Sequence, residues 1–111
     1  AFNFGPASDQ NYSVSALIDE MSKYWHQVSW QDGSNEKQDM HEAGLLKLNC
    51  DKAHIKLQWQ PTLHFEETVR MTVNWYRDYY ENKSKSMQDI TIAQIEEYSN
   101  LANQSKIKWA L

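Results

Sequence analysis

Residues 65–80, FEETVRMTVNWYRDYY, carry apolar side chains at helical spacing along most of their length. Successive members of the main stripe are adjacent or three to four positions apart, as they are on one face of an α-helix. Its members are Phe65, Val69, Thr72, Val73, Tyr76 and Tyr80. Met71, Trp75 and Tyr79 add apolar bulk to the adjoining face. The spacing predicts a helix over 65–80 that packs against neighbours on two sides.

Two further helices are predicted upstream. Residues 14–27 have an amphipathic pattern that Ser13 or Ser15 can cap. The apolar positions of this pattern are Val14, Leu17, Ile18, Met21 and Trp25. Asp51 can cap a shorter helix over 52–57, which residues 59–61 end with a proline.

The last predicted helix covers residues 92–103. Thr91 and Gln94 stand at the spacing of a capping box, and Ile90 and Ile95 at that of a hydrophobic staple. The predicted buried stripe of this helix consists of Ile95, Tyr98 and Leu101.

Short strands are predicted at residues 1–6, 28–30 and 45–48, where the apolar pattern is too brief for a helix. A strand at residues 1–6 has unpaired backbone groups along both edges and needs neighbours. We therefore expect further chain to precede it in the intact protein. The predicted fold class is α+β, mostly helical with two or three short strands, in a single domain over residues 1–111.

The composition describes a small acidic domain. The chain has 111 residues, 41% of them hydrophobic, and 15 acidic against 11 basic side chains, for a net charge of −4. Affinity for phosphate backbones is built from clustered Lys and Arg, so no nucleic acid partner is predicted. No apolar run approaches the roughly 18 residues of a membrane span, so no membrane partner is predicted either. Cys50 is the single cysteine, which indicates a reducing, cytoplasmic location.

Glycine is scarce, with only Gly5, Gly33 and Gly44 in the chain. A phosphate-cradling loop needs clustered glycines, so the chain has no dinucleotide-binding loop of its own. Tyr79 and Lys83 have the spacing of a Tyr-x-x-x-Lys pair, but without such a loop we predict no catalytic role for them. The histidines show no metal-ligand spacing, and we predict no metal site. They are His26, His41, His54 and His64.

Three sequence blocks carry a family resemblance. They are Asn3-Phe4-Gly5-Pro6, then His41-Glu42-Ala43 leading into 46–53 (LKLNCDKA), then 57–61 (LQWQP) ahead of 73–76 (VNWY). Their order and spacing resemble the C-terminal part of the extended short-chain dehydrogenase/reductases (NAD-dependent epimerase/dehydratase superfamily) that act on sugar nucleotides, and most of all the CDP-glucose 4,6-dehydratases. Gln58 stands where this family usually has glycine. A strained or differently shaped turn is therefore expected there.

The resemblance implies that a longer protein binds NAD in an N-terminal Rossmann domain and a CDP-sugar between that domain and a smaller C-terminal domain. It would oxidise C4 of CDP-glucose, eliminate water across C5 and C6 and return the hydride to C6, giving CDP-4-keto-6-deoxyglucose for cell-surface polysaccharide biosynthesis. This chain is then a substrate-domain fragment, with the Rossmann domain absent, no bound cofactor and no turnover of its own. The longer protein is expected to be a homo-oligomer.

The candidate substrate-binding residues are His41, Glu42 and Lys47. The resemblance places this segment near the nucleotide and diphosphate of the substrate. A histidine could donate to a phosphate oxygen, and a glutamate could accept from a ribose hydroxyl or a cytosine amine. The alternative is that these side chains only fix the conformation of the loop. No catalytic residue is predicted in this chain.

Two alternatives remain from the sequence. The chain could come from another sugar-nucleotide epimerase, reductase or dehydratase with a different nucleotide. It could instead be a free-standing helical module that contacts a partner protein through Trp25, Trp75, Tyr79 and Tyr80, because aromatic side chains anchor such interfaces.

Overall fold

The computed structural model describes residues 1–7, 10–31, 48–82, 84 and 86–110. In order, the helices are α1 (Val14–Ser22), α2 (Asp51–Leu57), α3 (Phe65–Glu81) and α4 (Met87–Gln104), followed by a short 3-10 helix (Lys108–Ala110). The prediction of a mostly helical chain is confirmed. Within the described residues there is no β-strand, so the strands predicted at 1–6 and 28–30 are wrong. Of the third predicted strand, residues 45–47 lie outside the described residues, and Leu48 is not in a strand.

The N-terminal segment, residues 1–6, is held by side-chain hydrogen bonds rather than by a neighbouring strand. The Lys52 ammonium donates to the Ala1 carbonyl oxygen at 3.0 Å. The Asn3 side-chain amide donates to the Asn49 carbonyl oxygen at 3.2 Å. These contacts come from side chains rather than from a β ladder, and an alternating pattern in the sequence does not distinguish the two arrangements.

Helix α3 is the central element, as its two apolar faces predict. It contributes the buried side chains Val69, Met71 and Val73. Helix α1 packs against it on one side and α4 on another. The start of α3 is fixed by the Glu67 carboxylate, which accepts from the backbone N–H of His64 at 3.0 Å. This reciprocal cap satisfies a backbone donor that the helix itself leaves unpaired.

Polar contacts reinforce both sides of α3. Arg77 donates to the Tyr24 carbonyl oxygen at 2.7 Å, beyond the end of α1. Arg70 pairs with Glu97 of α4 at 2.6 Å. The Gln94 amide of α4 donates to the Met71 carbonyl oxygen at 2.8 Å. The helix is therefore held by hydrogen bonds as well as by its apolar faces.

Helix α1 ends at Ser22, five residues before the predicted boundary at 27. The backbone then forms tight turns, with the N–H of Lys23 donating to Glu20 and that of Tyr24 to Met21. The apolar pattern continues to Trp25 because the Trp25 ring, although it lies beyond the end of α1, stacks on Tyr80 of α3. Burial at helical spacing extends here beyond the helix itself.

Helix α4 begins at Met87, so the predicted start at 92 is wrong. Ser86 is the N-cap, and its hydroxyl accepts from the Asp89 N–H at 3.3 Å. Thr91 lies inside the helix and donates to the Met87 carbonyl oxygen. The predicted staple and buried stripe also fail at Ile95, which is 59% exposed.

The end of α4 turns sharply and returns an apolar side chain to the core. Lys106 adopts a left-handed conformation, with φ 54°. The Ile107 N–H then donates to the Ala102 carbonyl oxygen at 2.9 Å. Both Ile107 and Ala102 are buried. The left-handed residue therefore lets the chain double back on the helix it has just left.

Candidate functional site

Three separate segments line one groove, whose cavity volume is about 1050 Å³. The N-terminal segment contributes Gly5 and Pro6, residues 48–51 form a second wall, and residues 59–61 form a third. Residues 10–14, Leu17, His54 and Phe65 at the start of α3 complete the lining. The groove thus brings together residues from each of the three blocks that carry the family resemblance, although residues 73–76 of the third block do not line it.

The N-terminal segment lies directly on the groove walls. The Phe4 ring meets the Trp59 ring edge to face, with 5.1 Å between the centroids. A Cβ added at Gly5 would lie 3.4 Å from the Cys50 sulfur. The N-terminal segment therefore lies close to residue 50 at Gly5.

Trp59 is fixed by the turn that ends α2. Gln58 adopts the left-handed conformation, with φ 53°, at the position where the family usually has glycine. This is the local strain that the sequence predicts. The Trp59 N–H donates to the Ala53 carbonyl oxygen at 3.4 Å, and His54 Nδ1 lies 3.2 Å from the Trp59 carbonyl oxygen. Lys108, from the 3-10 helix, donates to the Gln58 side-chain oxygen.

A smaller apolar cavity of about 300 Å³ adjoins the groove and shares several of its walls. Tyr12 and Phe65 stack within it, with a centroid distance of 3.7 Å and an interplanar angle of 9°. Tyr98 of α4 also lines it and stacks on Trp109. The groove thus borders the packing between α3 and α4.

The polar lining of the groove includes a hydrogen-bonded pair, Asn49 and Asp51. The Asn49 side-chain oxygen accepts from the Asp51 N–H at 2.9 Å, and its amide donates to the Asp51 carboxylate at 3.0 Å. Among the residues that the structure describes, no three His, Cys, Asp or Glu side chains are grouped to hold a metal ion. Such a lining can orient a polar ligand by hydrogen bonds.

Comparison with known proteins finds similarity to two sugar-nucleotide 4,6-dehydratases. Over 78 residues the chain is 37% identical to the CDP-glucose 4,6-dehydratase of Salmonella typhimurium, an alignment covering 68% of this chain and 21% of that enzyme. Over 29 residues it is 52% identical to the dTDP-glucose 4,6-dehydratase of Haemophilus influenzae, covering 26% of this chain and 9% of that enzyme. The chain is a relative of the sugar-nucleotide 4,6-dehydratases.

The aligned part of this chain spans about a fifth of the length of the Salmonella enzyme, 21% of it. No family model matches the chain, and no solved structure does. In the described part of the chain, no helix is both long enough and apolar enough to cross a membrane.

The predicted substrate-binding residues of this chain lie outside the described residues. They are His41, Glu42 and Lys47. Lys47 directly precedes Leu48, which lines the groove. Lys83, for which no catalytic role is predicted, also lies outside the described residues. Sequence reasoning did not single out Asn49, Asp51 or His54 as groove residues. The signal available for them was their position within the 46–53 block of the family resemblance or directly beside it.

The aromatic side chains of the alternative hypothesis form one cluster, Trp25, Trp75, Tyr79 and Tyr80. Trp75 stacks on Tyr79 with 5.8 Å between centroids, and Trp25 stacks on Tyr80 at 5.9 Å. Tyr79 meets Tyr80 edge to face and joins the two pairs. Tyr79 and Tyr80 are 53% and 60% exposed, so this aromatic cluster lies at the surface.

Proposed function

We propose that this chain forms the substrate-side part of an NAD-dependent sugar-nucleotide 4,6-dehydratase, and that the substrate is CDP-glucose. The observation that carries the proposal is the 37% identity to the Salmonella CDP-glucose 4,6-dehydratase over 68% of this chain. The groove supports it, because residues from each of the three resemblance-bearing blocks, Gly5–Pro6, 48–51 and 59–61, share its lining.

NAD does not fit the residues of this chain. With only 3 glycines, none near another, the chain cannot form the glycine-rich turn that lets a backbone approach a pyrophosphate. NAD therefore belongs to another part of the longer protein. No chemical step of the dehydration is assigned to a residue of this chain.

The role proposed for this chain is binding. Lys47 directly precedes Leu48, where the described groove wall begins, and His41 and Glu42 lie a few residues earlier in the sequence. In the proposed function, His41 donates to a phosphate oxygen of the substrate and Glu42 accepts from a ribose hydroxyl or the cytosine amine.

The test is an assay of the full-length gene product with NAD and, separately, CDP-, dTDP-, GDP- and UDP-glucose. The expected result is formation of the 4-keto-6-deoxy product from CDP-glucose in preference to the other three. Activity on another nucleotide would move the assignment to a related dehydratase, and no activity on any of them would overturn it. The 111-residue chain alone is expected to show no turnover, and dehydration by it would contradict the proposal.

A second candidate function rests on the exposed aromatic cluster of Trp25, Trp75, Tyr79 and Tyr80. As a contact surface, it would serve protein association rather than substrate binding. Sedimentation velocity of the wild type and of Tyr80→Ser separates the two. Association that depends on protein concentration and is lost in the variant supports the contact surface, whereas identical sedimentation of both excludes it.

A further inference from the structure

Lys52 belongs to the 46–53 block of the family resemblance, yet it is not one of the proposed substrate-binding residues. It lies near the start of α2, one residue after Asp51, which lines the groove. Its side chain extends to the N-terminal segment. The ammonium donates to the Ala1 carbonyl oxygen at 3.0 Å and lies 5.1 Å from the centroid of the Phe2 ring.

These two contacts restrain the same segment in different ways. The hydrogen bond fixes the backbone at residue 1, and the cation–π contact fixes the side chain of residue 2. Three to five residues further on, the same segment forms a groove wall through Gly5, Pro6 and Ala7. The position of that wall therefore depends on where Lys52 holds the start of the segment.

A third contact anchors the segment between Phe2 and the groove wall that begins at Gly5. The Asn3 amide donates to the Asn49 carbonyl oxygen at 3.2 Å. Asn49 also lines the groove. Lys52 and Asn3 thus both tie the N-terminal segment to the polypeptide just before and within α2.

We infer that Lys52 is a positioning residue for the proposed substrate groove, a role that rests on the proposed function. It holds the N-terminal segment against α2 and so sets the separation of the walls formed by residues 5–7 and 48–51. Lys52 touches no substrate in this role. Losing it widens the groove and weakens the binding of a sugar nucleotide without changing the groups that react.

Cys50 provides a readout that does not depend on catalysis. The Gly5 backbone lies against its sulfur, because a Cβ placed on Gly5 would be 3.4 Å away. Displacement of the N-terminal segment therefore uncovers the Cys50 thiol. The rate at which iodoacetamide alkylates Cys50, followed by peptide mass spectrometry, measures how firmly the segment is held.

The variants are Lys52→Met, Lys52→Arg and the control Lys56→Met, all in the full-length protein. Lys56 is on the same helix and its loss removes the same charge, but it makes no hydrogen bond or ion pair with the described residues. Arginine can donate to the Ala1 carbonyl and also lie over Phe2, so Lys52→Arg should restore wild-type behaviour. Thermal unfolding of each variant shows whether the fold as a whole is retained.

For Lys52→Met we expect about a fivefold rise in KM for CDP-glucose with little change in kcat, the size expected from losing one hydrogen bond. Alkylation of Cys50 should accelerate by a similar factor. Wild-type values are expected for Lys56→Met and Lys52→Arg. Combining Lys52→Met with Asn3→Ala should give a change that is not the sum of the two, because both contacts hold one segment.

Unchanged Cys50 alkylation in Lys52→Met would show that Lys52 does not hold the wall and would overturn the inference. Faster alkylation with an unchanged KM in an active enzyme would overturn its link to substrate binding. The absence of turnover by the wild type would remove the proposed function instead. In that case the alkylation rates of the same variants still decide whether Lys52 holds the groove wall.

Discussion

The indole nitrogen of Trp75 donates a hydrogen bond to the hydroxyl oxygen of Thr91 across the interface of α3 and α4, at 3.0 Å. Thr91 in turn donates to the Met87 carbonyl oxygen at 2.8 Å. On its other side, the Trp75 ring stacks on Tyr79. One side chain therefore connects the first turns of α4 to the exposed aromatic cluster.

Replacing Thr91 by valine should destabilise the protein by about 1 kcal/mol, because the half-buried Trp75 N–H loses its partner. Urea denaturation measures the change in the free energy of unfolding. Thr91→Ser keeps the hydroxyl and should stay close to the wild type. An equal loss of stability in both variants would show that the hydrogen bond is not the cause.

Val73→Ala should be more damaging, because Val73 is 1% exposed and lies on the central helix. Removing two buried methyl groups leaves a cavity, and the expected loss is about 2 kcal/mol. Thr72→Ala, at an exposed neighbouring position, should change the free energy of unfolding by less than about 0.5 kcal/mol. A Val73→Ala protein as stable as this control would mean that α3 does not carry the core.

Gln58 offers a test of backbone strain. Its φ of 53° is costly for a residue with a Cβ, by about 1 kcal/mol. Both Gln58→Gly and Gln58→Ala lose the side-chain contact with Lys108, but only glycine relieves the strain. Gln58→Gly should therefore be more stable than Gln58→Ala by about 1 kcal/mol in urea denaturation. Equal stability would contradict a left-handed residue 58.

The sequence predicts α3 well because its apolar pattern, its length and its packing on two sides agree. The start of α4 is missed for a definable reason. Thr91 and Gln94 fit a capping box, yet Ser86 begins the helix five residues earlier, with its hydroxyl on the Asp89 N–H. Local capping patterns recur by chance. The Thr91 hydroxyl instead accepts a hydrogen bond from Trp75, a tertiary contact that has no local signature in the sequence.

The groove is predictable only in part. The family resemblance identifies the blocks that contain Gly5, Asp51 and Trp59, and it predicts a strained or differently shaped turn at Gln58, where the structure has a left-handed residue. That these blocks meet depends on contacts between residues about 50 positions apart, such as Lys52 with Ala1. Periodicity and composition contain no information on such distant pairs. The predicted strand at residues 1–6 fails for the same reason.

The ion pair of Lys23 with Glu20 predicts a pH dependence of stability. Its hydrogen bond to Glu20 raises the pKa of Lys23 above the ordinary value of 10.5 in the folded state. A raised pKa stabilises the fold fully below pH 10.5, and this contribution is lost as the pH rises through the folded-state pKa. Lys23→Met should therefore be less stable than the wild type at neutral pH, with a difference that shrinks above pH 10.5.

Lys56→Met is the control for this pH dependence. Urea denaturation of both variants and the wild type, from neutral pH to about pH 12, gives the comparison. The Lys56→Met difference from the wild type should show no such decline between the two extremes. A Lys23→Met difference that stays constant above pH 10.5 would show that the pair with Glu20 does not couple to folding.

His41→Ala tests the proposed binding role of the segment that leads into the groove wall at Leu48. If His41 donates to a phosphate oxygen in both the ground state and the transition state, its loss removes uniform binding. In the full-length protein we expect KM for CDP-glucose to rise by about tenfold, the effect of losing a charge-assisted hydrogen bond, with a much smaller fall in kcat. His26→Ala, at a described position away from the groove lining, is the control and should leave both constants unchanged. A fall in kcat at constant KM would instead place His41 in the chemical step, and unchanged constants would reduce it to a residue that only shapes its loop.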